Sequence, residues 1–212
     1  MRNKLFFDLD GTLTDSSEGI TKSAAKVLDT LGISYNPADL YKFIGPPIQT
    51  ALRIFDVPDE EMEKGIQIFR DRYDTIGKFE NIPYDGMIDA LNELRENGYE
   101  LYVATSKPEV IAREILEKFG MLDLFIDICG ASPDRTRASK NQVIQHLLDN
   151  GISPEEVIMI GDTMYDVLGA KEFGIPCIVV TWGFGEYEEL KSITSATAAN
   201  TTEMIEKIKN IL

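Results

Sequence analysis

From Tyr84 to the C-terminus, strands of continuous Val, Ile and Leu alternate with amphipathic helices. This pattern predicts an α/β fold, a doubly wound and mostly parallel sheet covered by helices on both faces. An apolar strand, Leu5 to Leu9, stands at the N-terminus and supplies a further sheet member. Between that strand and Tyr84 only helical patterning is evident, so the block is expected to be an insertion behind the first strand. The crossings are expected near Thr14 to Ser17 and Glu80 to Pro83.

The elements follow in order. Within the insertion, residues 17–31 predict a helix ended by Gly32, and Asn36-Pro37 marks a helix start. Ile48–Ile54 and Asp59–Ile76 predict two more helices. After Asp85-Gly86, apolar Met87, Leu91 and Leu94 recur at helical spacing until Gly98. Tyr99–Thr105 is a strand, and Lys107-Pro108 opens a helix that ends at Phe119-Gly120. Leu124–Cys129 is the next strand, and Ser139–Asn150 a helix stopped by Gly151. Ser153-Pro154-Glu155-Glu156 has the spacing of a capping box over one helical turn. The strand Val157–Ile160 follows, and Asp162-Thr163 then leads into a helix ending at Phe173-Gly174. Pro176–Thr181 is a strand, and Thr201–Ile211 a last amphipathic helix.

Composition excludes several function classes. With 36 acidic and 21 basic residues among 212, the net charge is −15. A field of that sign opposes broad contact with nucleic acid or an anionic membrane. A phosphate substrate would need local cations to gather it. The two cysteines, Cys129 and Cys177, fit buried thiols in a reducing compartment rather than a disulfide framework. No apolar run approaches transmembrane length, and no leader pattern precedes the first strand, so the expected location is cytoplasmic. The single histidine, His146, is expected on a helix flank, which argues against a histidine triad or a multi-histidine zinc site.

Chemistry concentrates where the first strand ends. In Phe6-Phe7-Asp8-Leu9-Asp10-Gly11-Thr12, two carboxylates sit two residues apart, a spacing that starts them on one face of a strand. By composition, the four specified positions of Asp-x-Asp-Gly-Thr arise together by accident in on the order of one chain of this size in a thousand. Such a pair suits a nucleophile, a metal ligand or a general acid. In open parallel sheets ligands bind beyond the carboxyl ends of the strands. Thr105 and Ser106 fall at the end of one strand, and Gly161-Asp162 with Asp166 at the end of another. Lys140 opens the helix after the Cys129 strand. Carboxylates can attack phosphorus, donate protons and hold a hard cation. A hydroxyl and an ammonium can hold phosphoryl oxygens.

Asp8-Leu9-Asp10-Gly11-Thr12-Leu13-Thr14-Asp15, Thr105, Lys140 and Gly161-Asp162-Thr163-Met164-Tyr165-Asp166 resemble the four motifs of the haloacid dehalogenase-like hydrolases, over nearly the whole chain. Within that superfamily the chain is similar to the phosphoglycolate-phosphatase type. Further likeness lies in Phe43-Ile44-Gly45-Pro46-Pro47, Phe79-Glu80-Asn81, Tyr84-Asp85-Gly86 and Gly183-Phe184-Gly185. The resemblance implies a Rossmann-like core, residues 1–15 and 82–212, with a helical cap, residues 16–81. It makes Asp8 the nucleophile and Asp10 the general acid/base. Mg²⁺ would be held by the Asp8 carboxylate, the Asp10 backbone carbonyl and Asp162, with Asp166 in or near its outer sphere. Thr105, Ser106 and Lys140 would bind the phosphoryl group. Many relatives follow the lysine with proline, whereas Lys140 precedes Asn141, so Arg135, Arg137 and Lys107 stand as rival cations.

The core of such an enzyme sees only phosphate, so substrate choice is expected in the cap. Gly45 in its turn and Arg53 are the candidate contacts, with Arg70 and Arg72 as further cations, while Phe69, Tyr73 and Ile76 should pack the cap. The implied activity is hydrolysis of a small phosphorylated metabolite, with phosphoglycolate as the leading substrate and a monomer or homodimer as the working unit. A 5′-nucleotidase, a pyrophosphatase and a sugar-phosphate phosphatase or phosphomutase stand as alternatives.

Overall fold

The fold is that of a computed structural model, which describes residues 2–134 and 136–211. The chain divides into two compact units, Met1–Thr14 with Pro83–Leu212, and Asp15–Ile82.

The larger unit is built on β1 (Lys4–Phe7), β4 (Glu100–Pro108), β5 (Asp127–Ala131), β6 (Val157–Gly161), β7 (Cys177–Val180) and β8 (Ala196–Ala198). Two-residue strands β2 (Thr14–Asp15) and β3 (Ile82–Pro83) pair separately at the chain crossings. The six-stranded sheet has the order β5-β4-β1-β6-β7-β8, with parallel pairing throughout. Strand order therefore reverses at β1, the topological switch point where open α/β sheets bind ligands. Register places Phe7 level with Val103 on one side and Ile160 on the other. The polar residues that end these three strands are thereby brought to one height.

Helices cover both faces. Alternate side chains of β1 go to opposite cores, as the two-residue period of a strand requires. Leu5 and Phe7 pack with α4 (Met87–Glu96), α5 (Glu109–Lys118) and α9 (Thr201–Asn210). Phe6 faces α6 (Lys140–Asp149) and α7 (Met164–Glu172). A short α8, Tyr187–Leu190, completes this unit.

The smaller unit holds α1 (Ser17–Leu31), α2 (Ile48–Ile54) and α3 (Met62–Tyr73), with 3₁₀ turns between them. Val27, Leu28, Ala51, Leu52 and Ile66 form its apolar interior. Phe43 packs against Phe55 at 4.9 Å between ring centres, and Phe69 stacks on Tyr73 at 5.4 Å. Ile76 does not join them; it lies past the end of α3 and is exposed.

Several elements depart from the sequence pattern. β4 continues through Lys107-Pro108, where a helix start was expected, and α5 begins at Glu109. β5 begins at Asp127, three residues later than patterned, because Leu122–Leu124 forms a 3₁₀ turn instead. Ser153 does not close a capping box; its hydroxyl donates to Glu155 over a 3₁₀ turn. β3 lies in a stretch with no strand pattern, since a two-residue strand has no periodicity to detect. β8 is likewise short, and its Ala and Thr residues carry little apolar signal.

Candidate active site

The candidate site lies in the larger unit, at the ends of β1, β4 and β6. Asp8 follows β1 directly, and its N–H donates to the Ile160 carbonyl at 2.9 Å, so the residue is held against β6 before the chain turns. Gly11 then takes φ +84°, and a Cβ there would overlap the Asp162 carboxylate. Only glycine fits both the left-handed conformation and that approach.

Lys140, the first residue of α6, is buried and reaches three oxygens. Its Nζ lies 2.8 Å from Asp8 Oδ1, 2.8 Å from Asp166 Oδ1 and 2.8 Å from the Ala104 carbonyl. Burial opposes its charge, but Asp166 and Asp8 outweigh that and push its ammonium up. The rivals are engaged elsewhere. Arg137 pairs with Glu109 at 2.6 Å and donates to the Gly130 carbonyl, and Lys107 pairs with Asp10 at 2.6 Å. Arg135 lies outside the described residues.

Asp8, Asp162 and Asp166 are all buried, and each offers an oxygen within 4.8 Å of the others. Asp162 is fixed at both oxygens. Thr12 Oγ1 donates to Oδ1 at 3.2 Å, and the Phe184 N–H donates to Oδ2 at 2.8 Å. Asp166 Oδ2 accepts from the Thr163 N–H and hydroxyl at 2.9 and 2.8 Å, closing the N-terminus of α7. Burial raises the Asp8 carboxyl to about 6, against the pull of Lys140 and with a push from Asp166. Burial, with Asp166 and Asp8 beside it, drives Asp162 well above the usual carboxylate range. Such raised values mark acids held out of water, a cost that neighbouring acids add to and Lys140 only partly offsets.

The side chain of Asp10 is not one of these three acids; it pairs with Lys107. Across the site, four carboxylates face two ammonium groups, an excess of two negative charges. An all-oxygen donor set with that imbalance fits one hard divalent cation.

Thr105 is buried near the end of β4, and its Oγ1 accepts from the Lys107 N–H at 3.2 Å; Ser106 is half-buried. In the smaller unit, Gly45 is exposed at φ +101°, and Arg53 is exposed beside Asp59 at 4.0 Å. Arg72 is not a free cation: it pairs with Glu80 at 2.7 Å and donates to Ser23 Oγ at 3.0 Å.

Three participants carried no role in the sequence reading. Thr12 lies inside the first motif but orients a carboxylate 150 residues away. The Gly183-Phe184-Gly185 loop supplies the N–H on Asp162, and a Cβ at Gly183 would overlap that side chain. Trp182 Nε1 donates to the Thr12 carbonyl at 3.2 Å. The Gly-Phe-Gly pattern was the detectable signal, whereas its partner was not readable.

The doubly wound sheet carries buried carboxylates and a lysine at its switch point, a donor set that suits a hard cation and phosphoryl oxygens. The chain belongs to the haloacid dehalogenase-like hydrolases, whose family model matches residues 5–180. It is 43% identical over 191 residues to a protein of Pseudomonas aeruginosa named 5′-nucleotidase, covering 89% of this chain and 86% of that one. It is 39% identical over 210 residues to the tyrosine-protein kinase PtkA of Mycobacterium tuberculosis, covering 98% of this chain and 72% of that one. A phosphoglycolate phosphatase of Aquifex aeolicus is 28% identical over 97% of this chain and 96% of its own. Among solved structures, a predicted phosphatase from Clostridium acetobutylicum superposes with a TM-score of 0.94 at 40% identity, covering all of both chains. The protein is thus an enzyme of the phosphatase type, and among its described residues no helix is long and apolar enough to cross a membrane.

Proposed function

We propose that the protein hydrolyses a small phosphate monoester through an aspartyl-phosphate on Asp8, with Mg²⁺ as cofactor, in the cytoplasm. The observation that carries this reading is the contact of buried Lys140 with both Asp8 and Asp166 inside a cluster of three carboxylates. Asp8 attacks phosphorus, and the bond from phosphorus to the leaving oxygen breaks. Asp10 gives that oxygen its proton, then takes a proton from the water that attacks the aspartyl-phosphate. Lys140, Thr105 and Ser106 hold the phosphoryl oxygens. Asp8, Asp162 and the Asp10 carbonyl would hold Mg²⁺, with Asp166 beside it; the cation would supply charge that the phosphoryl oxygens and the carboxylates can share.

Because the core residues would contact only phosphate, substrate choice falls to the helical unit, with the Gly45 turn and Arg53 as candidate contacts. Phosphoglycolate is the substrate of the family type that the motifs match. The 43% identical relative named 5′-nucleotidase supports nucleoside monophosphates as the second class. A phosphate-release screen over both classes, pyrophosphate and sugar phosphates, with and without Mg²⁺ and a chelator, tests the reading. Release from at least one monoester, lost with chelation, is expected; full activity in chelator overturns the metal assignment. The relative named as a kinase makes transfer to an acceptor hydroxyl the rival outcome, seen as label passing to the acceptor instead of to water.

A further inference from the structure

Each of the two aspartates that follow β1 has its own buried lysine. Lys140 takes Asp8, and Lys107 takes Asp10. The second pair is unlike a surface ion pair: the Lys107 side chain is 5% exposed, its Nζ lies 2.6 Å from Asp10 Oδ2, and Asp10 is 16% exposed. The other carboxylate oxygen, Asp10 Oδ1, is buried and has no hydrogen-bond partner among the described residues. One oxygen is anchored, and the other makes no hydrogen bond among the described residues.

Local structure explains how the lysine gets there. β4 runs on past Thr105, and its register against β5 shifts between Ala104 and Pro108. Irregularities of this kind re-aim a side chain next to a site. The Thr105 hydroxyl holds the Lys107 N–H at 3.2 Å, and Pro108 restricts the backbone just behind it. The backbone is thereby fixed at Lys107, and burial confines its four-carbon stem.

We infer that Lys107 is a positioning residue: by binding Oδ2 it fixes the Asp10 carboxylate so that Oδ1 is the atom that exchanges protons. The inference rests on the reading of Asp10 as the proton-transfer group. In the hydrolytic half-reaction, a water oxygen bonds to phosphorus while the bond from phosphorus to the Asp8 oxygen breaks. The electron pair returns to the Asp8 carboxylate, and the water proton passes to Oδ1. A carboxylate free to rotate presents neither oxygen reliably, and misplacement of a proton-transfer group is costly in rate.

The test is stopped-flow hydrolysis of nitrophenyl phosphate by the Mg²⁺-loaded enzyme, with the phosphoenzyme measured by intact-protein mass spectrometry. This leaving group needs no proton, so Asp10 matters only in the second half-reaction. In Lys107→Met, the burst of nitrophenolate is expected to persist while steady turnover falls about tenfold or more, with phosphoenzyme accumulating. Then kcat and KM fall together and kcat/KM holds. Lys107→Arg restores part of the turnover, and Asp10→Asn/Lys107→Met is no slower than Asp10→Asn alone. Wild-type turnover in Lys107→Met overturns the inference. So does a fall in kcat/KM matching that in kcat, which would mark Lys107 as a phosphoryl-binding cation. Where Lys107→Met does not fold, Lys107→Gln gives the same readouts. If Asp10→Asn itself accumulates no phosphoenzyme, the reading of Asp10 fails; if it does and the Lys107 variants do not, only the role of Lys107 fails.

Discussion

Asp162 and Asp8 are both buried acids of one cluster, yet the protein restrains them differently. Asp162 has a donor on each oxygen, Thr12 and the Phe184 N–H, so its orientation is set before any ligand arrives. Asp8 shares one oxygen with Lys140 and the Leu9 N–H. In the proposed mechanism Asp162 is the fixed metal ligand and Asp8 the reacting carboxylate, and outer hydrogen bonds of this kind orient such ligands. Removing the hydroxyl in Thr12→Val is therefore expected to weaken Mg²⁺ binding about 10- to 100-fold by calorimetry. Unchanged affinity would show that Thr12 does not orient Asp162. At this scale the sequence was informative about residue types and poor about partners. The places of Asp8 and Asp162 just past strand ends and of Lys140 at a helix start were readable from the alternation of strands and helices. The pairing of Lys107 with Asp10 was not, because it depends on where a strand irregularity points one side chain. Arg137 and Arg72, plausible cations by type, are held by Glu109 and Glu80.

Among the elements, β1 carries the greatest structural demand. It is central, and its side chains are buried on both faces of the sheet. Phe6 is fully buried and meets Tyr102 edge to face at 5.5 Å. Phe6→Ala is expected to cost about 3–5 kcal/mol in chemical denaturation, since the cavity would open beneath α6 and α7. A loss below about 1 kcal/mol would mean the sheet can close over the gap. Long apolar strands and helices with Gly stops were legible because burial on both faces writes continuous apolar runs. The short strands β2, β3 and β8 and the extension of β4 were not, since their pairing comes from neighbours rather than from pattern. The extension nevertheless matters most for the site, because it carries Lys107 to Asp10.

For the molecule as a whole, net charge −15 and a buried acidic cluster act in the same direction. The Asp8 carboxyl is raised by burial from 3.8 to about 6. A group raised in this way contributes stability fully below its unfolded pKa and loses it as pH climbs through the folded one. Without metal, the cluster is thus expected to cost stability increasingly between about pH 4 and pH 7. A divalent cation competes with those protons, so its stabilisation should grow over the same range. The rise in Tm on adding Mg²⁺ is expected to be larger at about pH 7.5 than at about pH 5; the reverse order would contradict cation binding by ionised Asp8 and Asp162. In the helical unit, Arg53→Ala should change preference among metabolites more than the rate on nitrophenyl phosphate. Equal losses on both would move substrate choice out of that unit.

In the proposed reaction phosphorus becomes bonded to Asp8. Asp10→Asn, incubated with Mg²⁺ and a labelled phosphate ester, then quenched in acid and mapped by peptide mass spectrometry, tests it most directly. One phosphoryl group is expected on the peptide containing Asp8, absent when Asp8→Asn is added. Phosphate release with no label on the protein, or label on another residue, would contradict it.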